Sequence, residues 1–368
     1  MGEEELAAVR DVFERSWLGM GPRVEEFESA WSRYVGVPTS VAVNSGTAAL
    51  HLALAACGLP AGSKVLVPAM TFVATATAVL YNDLIPVFVD VDRETLTIDL
   101  ADLERKADGC SAVMPVHFGG HPVPMDRLLE VARRHRLTVV EDCAHCAGGA
   151  YQGRKLGTWG DIGCFSFEEK KGMTTGDGGM ISSPKRDLIE PLRAHRWIGI
   201  DKDTWKRAAG YTDSAAGTRH WYYEVAVLGY KFNMNDLAAA IGLVQLRKLD
   251  AMNDRRREII ARYLHGLRGC RHVRPLLPYQ LEDSAYWIFG VRATRRDDFI
   301  LHMKERGIAT GVHYMPVPHH PLFRQYASAT PVTDDVWREM VTLPLFAALS
   351  DDDVDDVSSA VREFDAHA

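Results

Sequence analysis

The sequence predicts an α/β protein: a large domain on a mostly parallel sheet, followed by a smaller α+β unit towards the C-terminal end. Three observations carry this expectation. Through the first half of the chain, apolar spacing alternates between a helical and an extended period. Short β-branched runs bounded by turns recur between the helical stretches. From Asn235 the pattern changes to one long helical stretch and then a strand–helix–strand unit.

Taken in order, Val24, Phe27, Trp31 and Tyr34 fall on one helical face. The runs Lys64–Pro68, 86–91, 112–117 and 137–142 read as strands, with a helix through Met125, Leu128, Leu129 and Ala132 before the last. Residues 165–167 and Gly179–Ser183 read as further strands. A helix is expected from Asn235 to about Leu267, with the charged run Asp254-Arg-Arg-Arg-Glu258 on its solvated face. Pro275 and Pro278 punctuate the next segment. Strand-like 286–292, a helix over 297–306 and strand-like 309–314 follow. Ser350 caps the last helix, with Asp353 three residues on and Val354, Val357, Val361 and Phe364 at helical spacing. The segment 208–219, rich in Gly, Ala, Ser and Thr, reads as a mobile loop, either a lid or an idle excursion. The division into domains is placed at 1–245 and 246–368.

The 368 residues are 47% hydrophobic and 25% charged, the balance of an ordinary globular protein. A net charge of −7, with the signs interspersed, argues against a nucleic-acid binder. The opening Met1-Gly-Glu-Glu-Glu is acidic where a secretory segment is basic, and no apolar run approaches membrane-spanning length. The expected place is the cytoplasm, with no membrane partner. Cys143 and Cys146 form a C-x-x-C that lacks the second pair of a zinc site and follows a strand-like run. They read as small apolar fillers in a reducing compartment, and no metal is expected.

In open α/β sheets ligands bind beyond the carboxyl ends of the strands, and the candidate chemistry falls there. Ser45-Gly-Thr-Ala48 at a helix N-terminus makes an anion cradle, although Ser-Gly-Thr is also an ordinary N-cap. Asp142 closes a strand and serves equally as a helix cap. Lys170-Lys171, followed by Gly172 and Gly176-Asp-Gly-Gly179, also reads as an exposed basic turn. Together they match what a pyridoxal 5′-phosphate (PLP) enzyme needs: an anion site, a partner for the pyridinium nitrogen and an amine for a Schiff base.

Longer motifs share one order along the chain. They are Ser45-Gly-Thr-Ala-Ala-Leu-His-Leu-Ala-Leu54, Val67-Pro-Ala-Met-Thr-Phe-Val-Ala-Thr75, Pro115-Val-His-Phe-Gly-Gly-His-Pro122 and Glu141-Asp-Cys-Ala-His145. The segment 160–179, Leu228-Gly-Tyr-Lys-Phe-Asn-Met-Asn-Asp236 and Gly311-Val-His-Tyr-Met-Pro316 complete the set. In these the chain resembles the DegT/StrS-type sugar aminotransferases, a branch of the fold type I PLP enzymes, from about residue 15 to 365.

The resemblance implies a seven-stranded sheet, PLP as cofactor, and Lys171 as the Schiff-base lysine, five residues past Ser166 and five before Gly176. Asp142 matches the pyridinium partner, and Ser166, Gly46 and Thr47 match the phosphate ligands. Phe72 matches a ring against the pyridine face, or fills the core. His145 stands near the phenolic oxygen in relatives, or is a satisfied structural histidine. Lys231 stands where many members carry an Asn that reaches the neighbouring subunit's phosphate, which implies a homodimer with shared sites, although a lysine there also suits a bare surface. His313, His319 and Trp287 lie in segments that line the acceptor side. The implied reaction moves an amino group from L-glutamate, or L-glutamine, to a keto group on a nucleotide-linked sugar. Glu168 stands where relatives carry His or Gln, which leaves a keto-cyclitol as the next acceptor. A non-catalytic PLP-binding regulator shares the fold. A sugar dehydratase of the same family carries His at the lysine position, and Lys171 argues against it.

Overall fold

The computed structural model describes residues 1–200, 223–282 and 284–368, so the expected loop at 208–219 lies outside the described residues. The first nine strands are β1 (Thr39–Val43), β2 (Lys64–Pro68), β3 (Ile85–Val89), β4 (Cys110–Val113), β5 (Thr138–Asp142), β6 (Ala150–Tyr151), β7 (Arg154–Lys155), β8 (Ile162–Ser166) and β9 (Gly179–Ser183). Seven of them form one sheet in the order β1-β9-β8-β5-β4-β2-β3, and β6 and β7 form a separate ribbon. From β3 to β8 the pairs are parallel, and β9 runs antiparallel to both β8 and β1. Val65, Leu66, Val67, Val139 and Val140 are all buried, the continuous apolar run of strands covered on both faces. Helices Gly46–Ala56, Ala74–Tyr81, Leu100–Lys106 and Met125–His135 make the crossovers. The last of these buries Met125, Leu128, Val131 and Ala132 and leaves Arg133 and Arg134 exposed.

Helix Pro22–Val35 buries Val24, Phe27, Trp31 and Val35, with Tyr34 at the edge. Its free N-terminal amides find Asp236: the carboxylate accepts from Gly21 N (2.9 Å) and Val24 N (3.1 Å). Asp236 itself opens helix Asp236–Gly266, 31 residues long and capped by the Asn235 side chain on Ala238 N. The first half of this helix packs Ala239 and Leu249 with the N-terminal helices, while Ile259, Ile260 and Tyr263 join the C-terminal core. The division expected after residue 245 therefore falls inside one continuous helix.

The C-terminal unit has a three-stranded antiparallel sheet, β10 (Val273–Pro275), β11 (Phe289–Ala293) and β12 (Met340–Leu343), in that order. Helices Arg296–Glu305 and Asp351–His367 pack on it, and the second opens with the expected Ser350/Asp353 capping box. Residues 309–314 were expected to form a strand, and they do not. Only Gly311 pairs, with Thr342, and the chain then leaves the sheet towards the central cavity. Pro316 and Pro318, which lack the N–H a ladder needs, follow at once. Among the described residues no helix is long and apolar enough to cross a membrane.

Candidate active site

The carboxyl ends of β2, β5 and β8 open onto a cavity of about 350 Å³. Ser45, Gly46 and Thr47 reach it from the N-terminus of helix Gly46–Ala56, where Ser45 Oγ accepts from Ala48 N (3.1 Å). Ser166 reaches it from the end of β8. A Cβ on Gly46 would lie 2.7 Å from Ser166 Cβ, so only glycine lets the helix start come this close to the strand end. A helix N-terminus with three hydroxyl side chains around it is a ready anion site.

Asp142, at the end of β5, is buried and lines the same cavity. Its carboxylate accepts from the Thr75 hydroxyl (2.8 Å) and from Ala144 N (3.1 Å). Burial raises its pKa, and the Ala144 N–H, the Thr75 hydroxyl and the Lys171 ammonium work against that rise. Such a carboxylate is short of a cation, and a protonated ring nitrogen supplies one.

Lys171 follows β8 on a turn closed by its own N–H to Glu168 O (3.0 Å). Its Nζ stands 3.9 Å from the centroid of the Trp287 ring. Burial pushes its pKa down to about 8, against the pull of Asp142 and Glu168. Lys170 is exposed and extends to the mouth of the cavity. The sequence count that selects Lys171 thus agrees with its depth.

Trp287 and the segment through Tyr314 reach the cavity from the C-terminal unit. The indole donates to Lys170 O (2.7 Å) and stacks on His145, with centroids 4.2 Å apart and planes at 16°. His145 is buried, and burial together with the Lys171 ammonium holds its pKa well below the usual histidine value. Phe72 is half exposed over the cavity, 5.7 Å from the Tyr314 ring. His313 lines the wall and bonds Thr342 Oγ1 (2.7 Å), and its pKa is pushed to about 4, by burial first and the two lysines next.

Two of the predicted residues stand apart. His319 lies in the turn Val317–His319, pairs with Asp334 (2.8 Å) and packs edge-on to Trp337. Lys231 Nζ sits 3.7 Å over Trp197 and donates to Asn233 Oδ1 (2.7 Å), outside its own chain's cavity. The cavity also holds Tyr314, which the sequence reading did not assign to it. Thr75 and Tyr314 lie inside motifs recognised in the sequence, but nothing in a one-dimensional motif marks which member faces the site.

The C-x-x-C thiols lie beside His117, with all three potential ligand atoms within 4.8 Å of one another. His117 uses both ring nitrogens: Nδ1 accepts from Val123 N (3.1 Å), so the proton sits on Nε2 and goes to Glu141 (3.1 Å). No lone pair is left for an ion, and burial raises both thiol pKa values. The cysteines pack with Leu156, Phe165 and Met173 in the core.

A family model, the DegT/DnrJ/EryC1/StrS aminotransferase family, matches residues 1–362. The chain belongs to this family. It is 39% identical over 377 residues to the spore coat polysaccharide biosynthesis protein SpsC of Bacillus subtilis, covering 99% of this chain and 95% of that protein. The sugar aminotransferase CalS13 of Micromonospora echinospora superposes with a TM-score of 0.88 at 34% identity, over 99% of this chain and 97% of that one. Spr1654 of Streptococcus pneumoniae in its PLP form superposes at 0.90 with 28% identity, over 100% and 97%. The protein is therefore a PLP-dependent aminotransferase of fold type I that acts on sugars, and the cavity's anion cradle, buried carboxylate and half-buried amine fit that cofactor.

Proposed function

We propose that this aminotransferase moves the amino group of L-glutamate, or L-glutamine, to a keto group on a nucleotide-linked sugar, giving an amino sugar. The observation that carries the reading is the convergence of Lys171, Asp142 and the Ser45–Gly46–Thr47–Ser166 cradle on one cavity at the strand ends. Bound PLP supplies a protonated pyridine ring that withdraws electrons from the carbon undergoing proton loss. Ser45, Gly46, Thr47 and Ser166 hold its phosphate, and Asp142 keeps its ring nitrogen protonated. Lys171 is the attachment point, and its ε-amine moves the proton at the reacting carbon. A pKa near 8 leaves a usable fraction of that amine neutral close to neutrality. His145 and Trp287 stack as one aromatic wall behind the amine, with Phe72 opposite Tyr314 at the open side.

Lys231 acts on the partner subunit's cofactor in a homodimer. Its support is its position: it lies outside its own cavity, and its charge is met only by the Trp197 face and an Asn233 oxygen among the described contacts. His313 contacts the acceptor from the cavity wall, and His319 contributes from outside it.

The test of the reaction is optical. L-Glutamate should abolish the visible cofactor band of the purified protein, and a nucleotide-linked ketosugar should restore it. Restoration by a keto-cyclitol and not by any nucleotide-linked ketosugar would overturn the acceptor. No response to either amino donor would overturn the donor.

A further inference from the structure

His145 and Tyr314 are 169 residues apart, and their polar atoms meet: Tyr314 Oη lies 3.1 Å from His145 Nε2. Which of the two donates is decided at the other ring nitrogen. His145 Nδ1 accepts the N–H of Gly119 (3.4 Å), and a backbone amide only donates. Nδ1 therefore carries a lone pair, and the neutral ring bears its proton on Nε2. That proton goes to the Tyr314 oxygen, as the histidine–phenol contact requires. Tyr314 has a single proton of its own, and His145 is its one hydrogen-bond partner among the described residues. The phenol O–H is thus left to point into the cavity that Tyr314 lines.

We propose that Tyr314 donates a hydrogen bond to the phenolic oxygen of bound PLP, with His145 behind it as the positioning residue that fixes the direction of the phenol proton. The inference rests on the assignment of Lys171, Asp142 and the phosphate cradle to PLP made above. The cofactor has two anionic regions. Its phosphate belongs to the helix N-terminus and Ser166, which leaves the ring oxygen for a neutral donor elsewhere in the cavity. The charged and titratable groups around the phenol are Asp142, Glu168, Lys171, His145 and His313. Burial and the two carboxylates hold the Tyr314 pKa well above its usual value, so the phenol stays a donor through the working pH range. Burial keeps His145 neutral, so the tautomer argument holds over the same range.

A donor to that oxygen stabilises its negative charge and so weakens its hold on the proton of the adjoining lysine-bound nitrogen. Removing the donor must therefore raise the pH at which the visible absorption changes form. A charge-assisted hydrogen bond of ordinary strength corresponds to a shift of about one to two pH units. The experiment titrates the visible spectrum of the PLP-loaded protein as wild type, Tyr314→Phe and His145→Phe. Tyr314→Phe should raise the midpoint by about one to two units, and His145→Phe by less, because the phenol is kept but no longer aimed. An unchanged midpoint in Tyr314→Phe overturns the proposal, and so does a larger shift in His145→Phe than in Tyr314→Phe. If Tyr314→Phe fails to fold, 3-fluorotyrosine at position 314 gives a more acidic donor of nearly the same shape. It should lower the midpoint, and no change there overturns the proposal as well. A wild-type protein with no pH-dependent band, and no borohydride-trapped cofactor on Lys171, would instead refute the underlying PLP assignment.

Discussion

At the residue scale the site depends on which of two adjacent lysines lies deeper, and Lys171 is half-buried where Lys170 is exposed. Lys171→Ala should lower transamination by about 10²–10⁴-fold from the loss of proton transfer alone, while Lys170→Ala should keep most of it. Borohydride reduction and peptide mapping would place the trapped cofactor, and finding it on Lys170 would refute the assignment. The pKa of Lys171 adds a pH dependence with a defined sign. The amine is an ammonium below about 8 and a nucleophile above it, so cofactor uptake by the apoprotein should rise with pH to a midpoint near 8. A free lysine would place that midpoint near 10.5. Asp142→Asn should keep the phosphate contacts and bound cofactor, yet lower activity about 10- to 1,000-fold, the effect of one to three units of lost pKa support. Near-wild-type rates in both half-reactions would reduce Asp142 to a cap. Lys171 was singled out in the sequence by the motifs around it, five residues past Ser166 and five before Gly176. Thr75 and Tyr314 were not, since each meets its partner, Asp142 or His145, only in the fold.

At the scale of elements, helix Asp236–Gly266 holds two active-site turns at once. Asn253 Nδ2 donates to Ala147 O (3.0 Å), just past His145. Arg256 donates to Gly172 O (2.9 Å), just past Lys171, and to Asn253 Oδ1 (3.2 Å). Arg256 is buried, and burial pushes its pKa down to about 10, so its charge weighs against the fold while its hydrogen bonds hold the turn. Arg256→Met should therefore change thermal stability little, within about 2 kcal/mol, because two lost hydrogen bonds and a relieved buried charge oppose each other. It should still lower kcat about tenfold, because a shift of the Lys171 turn misplaces the reacting amine. Measuring Tm and kcat together separates the two effects, and an unchanged kcat would show the clamp is idle. This helix was legible from its periodicity. The segment 309–314 misled because its apolar and β-branched residues suit a strand, whereas Tyr314 is half-buried and lines the cavity rather than a sheet.

At the scale of the molecule, the sheet order places the ends of β2, β5 and β8 together although they lie far apart in sequence. The alternation of periods made the parallel sheet legible, since each buried strand must read as a continuous apolar run. The reversal of β9 was not legible, because a five-residue buried strand carries no mark of its direction. If the sites are shared across a homodimer, two inactive proteins should repair each other. Lys171→Ala and Lys231→Ala chains, unfolded and refolded together, would form heterodimers with one site carrying both lesions and one carrying neither. Activity should rise above the average of the two parents. No such rise, where heterodimers are shown to form, would place Lys231 in cis.

The stack of Trp287 on His145 beneath Lys171 also has an optical consequence. A chromophore attached to that amine lies within a few ångströms of the indole, and it absorbs where indoles emit. Excitation of this one tryptophan, among the eight in the chain, should pass to the cofactor instead of appearing as light. Loading the protein would then dim its ultraviolet emission. Trp287→Phe would remove much of that dimming and leave the remaining tryptophans to report the fold.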